Sequence, residues 1–321
     1  MRALVLGGAG FIGLHLTRRL IADGHHVTVV DDFSRGRDDR DLGSVRNHPA
    51  VTVVPGDLTD ASTWSGLSHG WDQIYLLAAV VGVRNVDRNP AQVIRVNTLS
   101  ALHLLDWAVE GDKIFFASTS EVYDGGVDAG IVPVPTAEDV PVMISDVAAP
   151  RRAYAISKLL GEAAFVHGAR AKELSVVVGR FHNVYGPRMG ADHVIPEMSL
   201  RAMRGEDPFV VWGADQYRAF CYVDDAVEAV LRLMDSTEAM GQVVHIGDDT
   251  VETNIADLAK LVLRIAEVSP AMETAPAPPG SVGRRCPDLA RLRRLTGYEP
   301  VVPLEEGVRR TFDWYRERWP R

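Results

Sequence analysis

Cysteine is scarce: only Cys221 and Cys286 occur in 321 residues, which excludes a disulfide framework and suits a reducing compartment. Nowhere does an apolar run approach the ~18 residues of a membrane-spanning helix. Basic charge is not in excess either, since 34 Lys and Arg stand against 43 Asp and Glu, for a formal charge of −9. A nucleic acid or an anionic membrane calls for a positive field, so neither is expected as a partner. A small anionic ligand stays open, because a few arginines can reverse the sign locally. The 10 histidines are scattered without paired spacing, and no metal site is expected. No charged-then-apolar leader precedes the first strand-like run, 3-ALVL-6, so the expectation is a soluble protein of the cytoplasm. Internal repeats are lacking, and low complexity is confined to a short Pro/Ala stretch near residue 275.

What is present is rhythm. Short β-branched runs, 3-ALVL-6, 26-HVTVVD-31, 51-VTVVPGD-57, 73-QIYLLAA-79, 113-KIFFAS-118 and 175-SVVVGR-180, alternate with helical patterns. Each run is apolar almost throughout instead of every second residue, as in parallel strands covered on both faces. Between the first two, 13-GLHLTRRLIADG-24 puts Leu16, Leu20 and Ile21 on one helical face and stops at Gly24. The fold class is therefore α/β, a Rossmann-type doubly wound parallel sheet. Past residue 180 the rhythm breaks into loops such as 185-YGPRMGADHVIP-196 and 275-APAPPGSVGRRCP-287, with helical pieces such as 224-DDAVEAVLRLMDS-236. Residues 1–180 are expected to form the nucleotide-binding domain, with later strands returning to it. Residues 181–321 are expected to form a smaller, interleaved substrate-binding region.

The segment 7-GGAGFIG-13 lies between a strand and a helix, and Gly8, Gly10 and Gly13 match the G-x-G-x-x-G spacing. Such glycines allow a tight turn, backbone approach to a pyrophosphate and close helix–strand packing, with the helix N-terminus facing the anion. Asp31 ends the second strand, where a carboxylate accepts from both ribose hydroxyls and disfavours a 2′-phosphate, so NAD is expected over NADP. Arg35, just beyond, is a residue that can host a 2′-phosphate. A glycine-rich packing turn is the alternative. Asp57 in 56-GDL-58 suits either an adenine contact or a turn.

Tyr154 and Lys158 are four apart and share a helical face. A phenol beside an ammonium has its pKa pulled below about 10 and can take the proton of a sugar hydroxyl as hydride leaves the carbon. With 117-ASTSEV-122, 180-RFHNVYGPR-188, 218-RAFCYVDD-225 and 284-RRCPD-288, these motifs make the chain resemble the extended short-chain dehydrogenase/reductase family, the NAD-dependent sugar-nucleotide epimerases and dehydratases. The resemblance covers nearly the whole chain. It implies that Thr119 sits with Tyr154 over the reacting C4 oxygen, that Ser118 is its strand-side neighbour, and that Lys158 also holds the nicotinamide ribose. The implied cofactor contacts are Gly7, Gly10, Phe11, Ile12, Gly13, Asp31, Asp32, Asp57, Leu58 and Ala78, with Tyr154 and Lys158. On the substrate it implies Ser120, Asn183, Arg188, Trp212, Arg218 and Arg285, with Asn183 on the diphosphate or the sugar and Arg285 on the diphosphate. For Trp212 a place in the core is the alternative, and for Arg218 simple phosphate binding.

Glu121 bears on the reaction. A 4-keto sugar acidifies C5, and a carboxylate there can move a proton. Three activities compete by resemblance: C4 epimerisation, 4,6-dehydration and decarboxylation of a UDP-hexuronic acid. The stretch V-W-G-A-D-Q-Y-R-A-F-C-Y resembles the decarboxylases most. That likeness implies a UDP-glucuronate substrate, UDP-xylose or a UDP-4-keto-pentose as product, and a catalytic set of Thr119, Glu121, Tyr154, Lys158 and Arg218. Glu121 and Arg218 are then expected to flank the sugar's carboxylate. Dehydratases with a Thr-Asp-Glu order have an acid where Ser120 stands here, although others share Thr-Ser-Glu. Asp124 replaces the family's usual glycine and has no role in this pattern. A non-catalytic NAD-binding protein is the alternative from a different class. The family further implies a homodimer through a four-helix bundle, from residues 91–109 and the helix carrying Tyr154. His182 is expected to pack behind the site, and 309-RRTFDWYRERWPR-321 to be a closing amphipathic helix with snorkelling arginines.

Overall fold

The computed structural model describes residues 1–34, 39–278 and 280–318. The apolar runs form one parallel sheet from β1 (Arg2–Leu6), β2 (His26–Asp31), β3 (Val51–Pro55), β4 (Gln73–Leu76), β5 (Lys113–Thr119), β6 (Ser175–Phe181) and β7 (Val243–Ile246). Their order is β7-β6-β5-β4-β1-β2-β3. The direction of winding reverses between β1 and β4, so a crevice opens at the carboxyl ends of the strands. Alternate residues serve opposite faces. Ala3, Val5, Phe115 and Val177 enter one core, and Leu4, Leu6, Ile74, Phe116 and Val178 the other. The first core continues without a break through Met198, Phe209, Val230, Leu258 and Phe312, so residues beyond 181 share a core with the sheet.

Two strands stop short of their apolar runs. β4 ends at Leu76 because Leu77 N and Ala78 N both turn onto Leu6 O, at 2.9 and 2.8 Å. That bend brings Ala78 so close to Gly7, whose φ is +90°, that a Cβ there would lie 2.5 Å from Ala78 N. β3 ends at Pro55, and Gly56 N returns to Asp31 O at 3.0 Å.

Four helices matter for the site. α1 (Phe11–Ala22) follows the glycine turn. α2 (Pro90–Trp107) and α3 (Arg152–Lys172) pack together over the second core. α4 (Val223–Asp235) covers the other face of the sheet. Gly161 brings the backbone of α3 down onto the Phe116 ring, which fixes Tyr154 and Lys158 against the end of β5. β5 runs into a 3-10 turn, Ser120–Tyr123, and then a short helix, Asp124–Asp128. Beyond the sheet, strand Tyr217–Ala219 pairs in parallel with Arg284–Arg285, placing Arg218 in register with Arg285. The closing helix, Leu304–Arg318, pairs Arg309, Arg310 and Arg316 with acids on its own surface; positions 319–321 lie outside the described residues.

Candidate active site

A cavity of about 660 Å³ occupies the crevice and runs from the glycine turn to Arg285. Gly7, Gly10, Phe11, Ile12, Gly13, Asp31, Asp32, Asp57, Leu58 and Ala78 all line it. Gly10 caps α1 without a side-chain acceptor, and no acid stands in the first turn. The first amides of the helix are thus presented to an anion. Gly8 does not line the cavity. Its backbone packs on Val29, where a Cβ would meet Cγ1 at 2.7 Å. Asp31 Oδ2 accepts from Ala9 N and Oδ1 from Phe33 N, both at 2.9 Å, leaving each oxygen a lone pair for a ribose hydroxyl. Burial pushes the Asp31 pKa up, against those two amides. Asp57 Oδ1 accepts from Thr59 N at 2.8 Å in a turn, and the residue also lines the cavity. The backbone therefore fits a dinucleotide. Arg35 lies outside the described residues.

Two strands from β1, on the side away from β2, the end of β5 carries the other groups. Ser118, Thr119, Ser120 and Glu121 line the same cavity as Tyr154, Lys158, Asn183 and Arg285. Thr119 Oγ1 accepts from Glu121 N at 3.3 Å and caps the 3-10 turn. Lys158 is 3 % exposed. Its Nζ lies 5.0 Å from the centre of the Phe116 ring and 5.9 Å from that of Tyr154. Burial lowers its pKa to about 7, with Glu162 opposing. Behind it Ser118 Oγ donates to Glu162 Oε1 at 2.5 Å. Arg180 binds both oxygens of Glu162, at 2.8 and 2.7 Å.

Around Glu121 the charges are denser. Its carboxyl is pushed up in pKa by burial; Arg285, Arg151 and Arg152 work against that, and Asp124 adds to it. Asp124 pairs with Arg285 and lies 3.9 Å from Arg152, which binds Asp128 at 3.1 Å. His182, buried and with its pKa driven well down by burial, accepts or donates a bond with Tyr123 Oη at 2.9 Å; it lies behind the site.

Three expected substrate residues are placed differently. Arg218 does not line the cavity among the described residues. Its guanidinium donates to the carbonyls of Tyr217, Val282 and Gly283 and to Gln216 Oε1, at 2.5–3.3 Å, so it braces the strand that carries Arg285. Burial lowers its pKa to about 10, with Arg285 adding to the effect. Trp212 is also absent from the lining; it is 46 % exposed and lies under Arg201, 4.6 Å from the ring centre. Arg188 lines the cavity at the glycine end, with Nη1 on Ala9 O and Gly10 O at 2.7 and 3.0 Å and Nε on Asp39 at 2.8 Å. Conversely, Arg151 and Glu162 escaped the sequence reading. The signals were there: Arg151 and Arg152 stand just ahead of Ala153 and Tyr154, and Glu162 follows Lys158 at a helical spacing of four.

Comparison with known proteins places this geometry. The family described as "NAD dependent epimerase/dehydratase family" matches residues 3–247. The UDP-N-acetyl-alpha-D-glucosaminuronate decarboxylase of Bacillus cytotoxicus is 32% identical over 326 residues, covering 98% of each chain. The UDP-glucuronic acid decarboxylase 1 of Xenopus tropicalis is 34% identical, over 98% of this chain and 72% of its own. Among solved structures, the UDP-glucose 4-epimerase of Thermotoga maritima with UDP-glucose superposes with a TM-score of 0.85 at 30% identity, covering 99% of both chains.

Proposed function

The chain belongs to the NAD dependent epimerase/dehydratase family, and from that premise we propose that it decarboxylates a UDP-hexuronic acid, UDP-glucuronate. The observation that carries this reading is Glu121, an acid set among Arg285, Arg151 and Arg152 at the cavity that also holds Tyr154 and Lys158. A C4 epimerase has no step that needs an acid near C5. A decarboxylase must both hold the C6 carboxylate, for which Arg151 is available in the cavity lining, and protonate C5 after CO₂ has left. Similar proteins named as decarboxylases, the two above among them, support it.

NAD, which the glycine turn, Asp31, Tyr154 and Lys158 would hold, would supply the acceptor for the C4 hydride and its donor for the return. Tyr154 takes the proton of the C4 hydroxyl, with Lys158 beneath it favouring the phenolate and Thr119 holding the oxygen. The C4 ketone then stands β to the carboxylate, so CO₂ leaves and its bonding pair becomes an enolate. Glu121 supplies the proton to C5. Return of the hydride before release gives UDP-xylose; release before it gives a UDP-4-keto-pentose. Asn183, whose Nδ2 is fixed on Ala219 O at 2.9 Å, and Arg285 hold the diphosphate side of the substrate.

The same reading carries a cytoplasmic homodimer with no nucleic acid or membrane as partner. α2 and α3 pack side by side and expose Leu102 and Leu160, a surface suited to a two-fold four-helix bundle. Among the described residues no helix is long and apolar enough to cross a membrane. Incubation with UDP-glucuronate and NAD, with mass spectrometry of the products, tests the function. CO₂ and a pentose nucleotide are expected. UDP-galacturonate would replace the reading by an epimerase, and retained NAD without turnover by a binding protein. UDP-N-acetylglucosaminuronate belongs in the same panel, because the Bacillus relative is named for that sugar.

A further inference from the structure

Asp124 is the residue that the family pattern leaves without a role. It follows the 3-10 turn Ser120–Tyr123 and begins the helix Asp124–Asp128. In a 3-10 turn residues three apart stack on one side, which sets Asp124 beside Glu121. Asp124 is 2 % exposed. Its Oδ2 accepts from Nη2 of Arg285 and lies 3.9 Å from Arg152. Its Oδ1 and the Nε of Arg285 are buried without a protein partner among the described residues.

We propose that Asp124 is a positioning residue: its carboxylate pins Arg285 at the cavity wall and, standing beside Glu121, keeps the Glu121 carboxyl in the acid form that protonates C5. For the identity of that step the inference rests on the decarboxylase reading. A like charge beside a carboxyl favours its neutral form. Asp124 has the direct arginine partner, whereas Glu121, in no ion pair among the described residues, is pushed toward its acid form by burial first and then by Asp124. The groups facing the pair come from several elements: Arg285 and Arg218 from the paired strands, Arg151 and Arg152 from the start of α3, Tyr123 from the 3-10 turn, Asp128 from the helix Asp124–Asp128, and Tyr154 and Lys158 across the cavity. Burial is the largest influence raising the Glu121 pKa; against three arginines that favour the glutamate anion, Asp124 is the carboxylate that adds to it. In the step itself the C5–C6 bond breaks and CO₂ departs, its electron pair passing through the enolate to the C4 oxygen. The pair then returns as C5 takes the Glu121 proton, the ketone re-forms, and water reprotonates Glu121.

Asp124→Asn keeps the shape and removes the charge. The high-pH limb of the kcat profile is expected to move about one unit lower, so that kcat at pH 8 falls about tenfold while KM changes less. A limb that stays in place, with kcat lowered equally at every pH, overturns the proposal. Should the variant fail to fold, carbon-13 titration of the wild-type glutamates decides, the Glu121 signal being assigned by its loss in Glu121→Gln. That signal is expected to titrate above the ordinary carboxylate range; an ordinary value overturns the proposal. Absence of CO₂ release from UDP-glucuronate by the wild type would instead remove the decarboxylase reading, and the Glu121 titration, in wild type against Asp124→Asn, would still decide the pairing.

Discussion

Two charge clusters leave the carboxyl end of β5, and they are satisfied very differently. Behind the strand, Glu162 receives Ser118 and both nitrogens of a bidentate Arg180. Arg180 also reaches Glu138 O at 3.2 Å, and Glu138 Oε1 accepts from His245 N at 2.9 Å. In front of it, Glu121 is in no direct ion pair among the described residues, and Asp124 and Arg285 each keep a buried polar atom without a protein partner. A buried cluster with every group paired is scaffold, because breaking it strands a charge. A buried cluster left partly open has capacity for a ligand and shifts the proton affinity of its members. One strand end thus carries a support on one side and chemistry on the other.

The sharpest way to break that distinction is stability. Glu162→Ala leaves Arg180 buried without its partner, and a loss of about 3–5 kcal/mol is expected in denaturant unfolding. Glu121→Gln should do the opposite. The folded state raises the Glu121 pKa, so ionising it costs stability once the pH rises through the unfolded value of about 4.3 and on through the folded one. The glutamine variant should therefore match the wild type at pH 4 and exceed it at pH 8. Its decarboxylation should fall by about 10²–10⁴-fold with NAD still bound. A Glu162→Ala protein as stable as the wild type, or a Glu121→Gln protein that releases CO₂ unimpaired, would erase the contrast.

How far the sequence revealed this follows from where each signal resides. The sheet, the glycine turn, Asp31 and the Tyr154–Lys158 pair are local patterns, spaced by strand and helix periods along a few residues, and the structure brings them to one crevice. The two clusters are not local. Glu162 matters because β6 lies beside β5 and brings Arg180 to it. Whether Arg218 or Arg285 reaches the cavity is fixed by the pairing of two strands some 65 residues apart, as in the bond from Arg218 to Gly283. Asp124 looked idle because its partner Arg285 is 161 residues away.

Lys158 lies between the clusters and sharpens the comparison at intermediate size. Its folded pKa of about 7 is below the unfolded 10.5. The cost of burying the ammonium is thus fully present below pH 7 and fades as the pH rises toward 10.5. Lys158→Met should abolish turnover yet raise Tm relative to the wild type at pH 6, by several degrees, with the gain shrinking by pH 9. A gain equal at both pH values would mean that lost packing or shape, not charge, explains it.

Arg218 gives the smallest expected effect and the finest cut. Among the described residues all four of its bonds go to its own strand region or to Val282 and Gly283, so it acts on the substrate through the strand that carries Arg285. Arg218→Gln should cost about 1–2 kcal/mol of stability, from carbonyls left without donors. KM for UDP-glucuronate should rise a few-fold, as the seat of Arg285 loosens, while kcat and its pH profile stay close to wild type. A fall in kcat comparable to that of Glu121→Gln would place Arg218 in the open cluster, and the division between support and chemistry would then have to pass through the strand Tyr217–Ala219 instead of through β5.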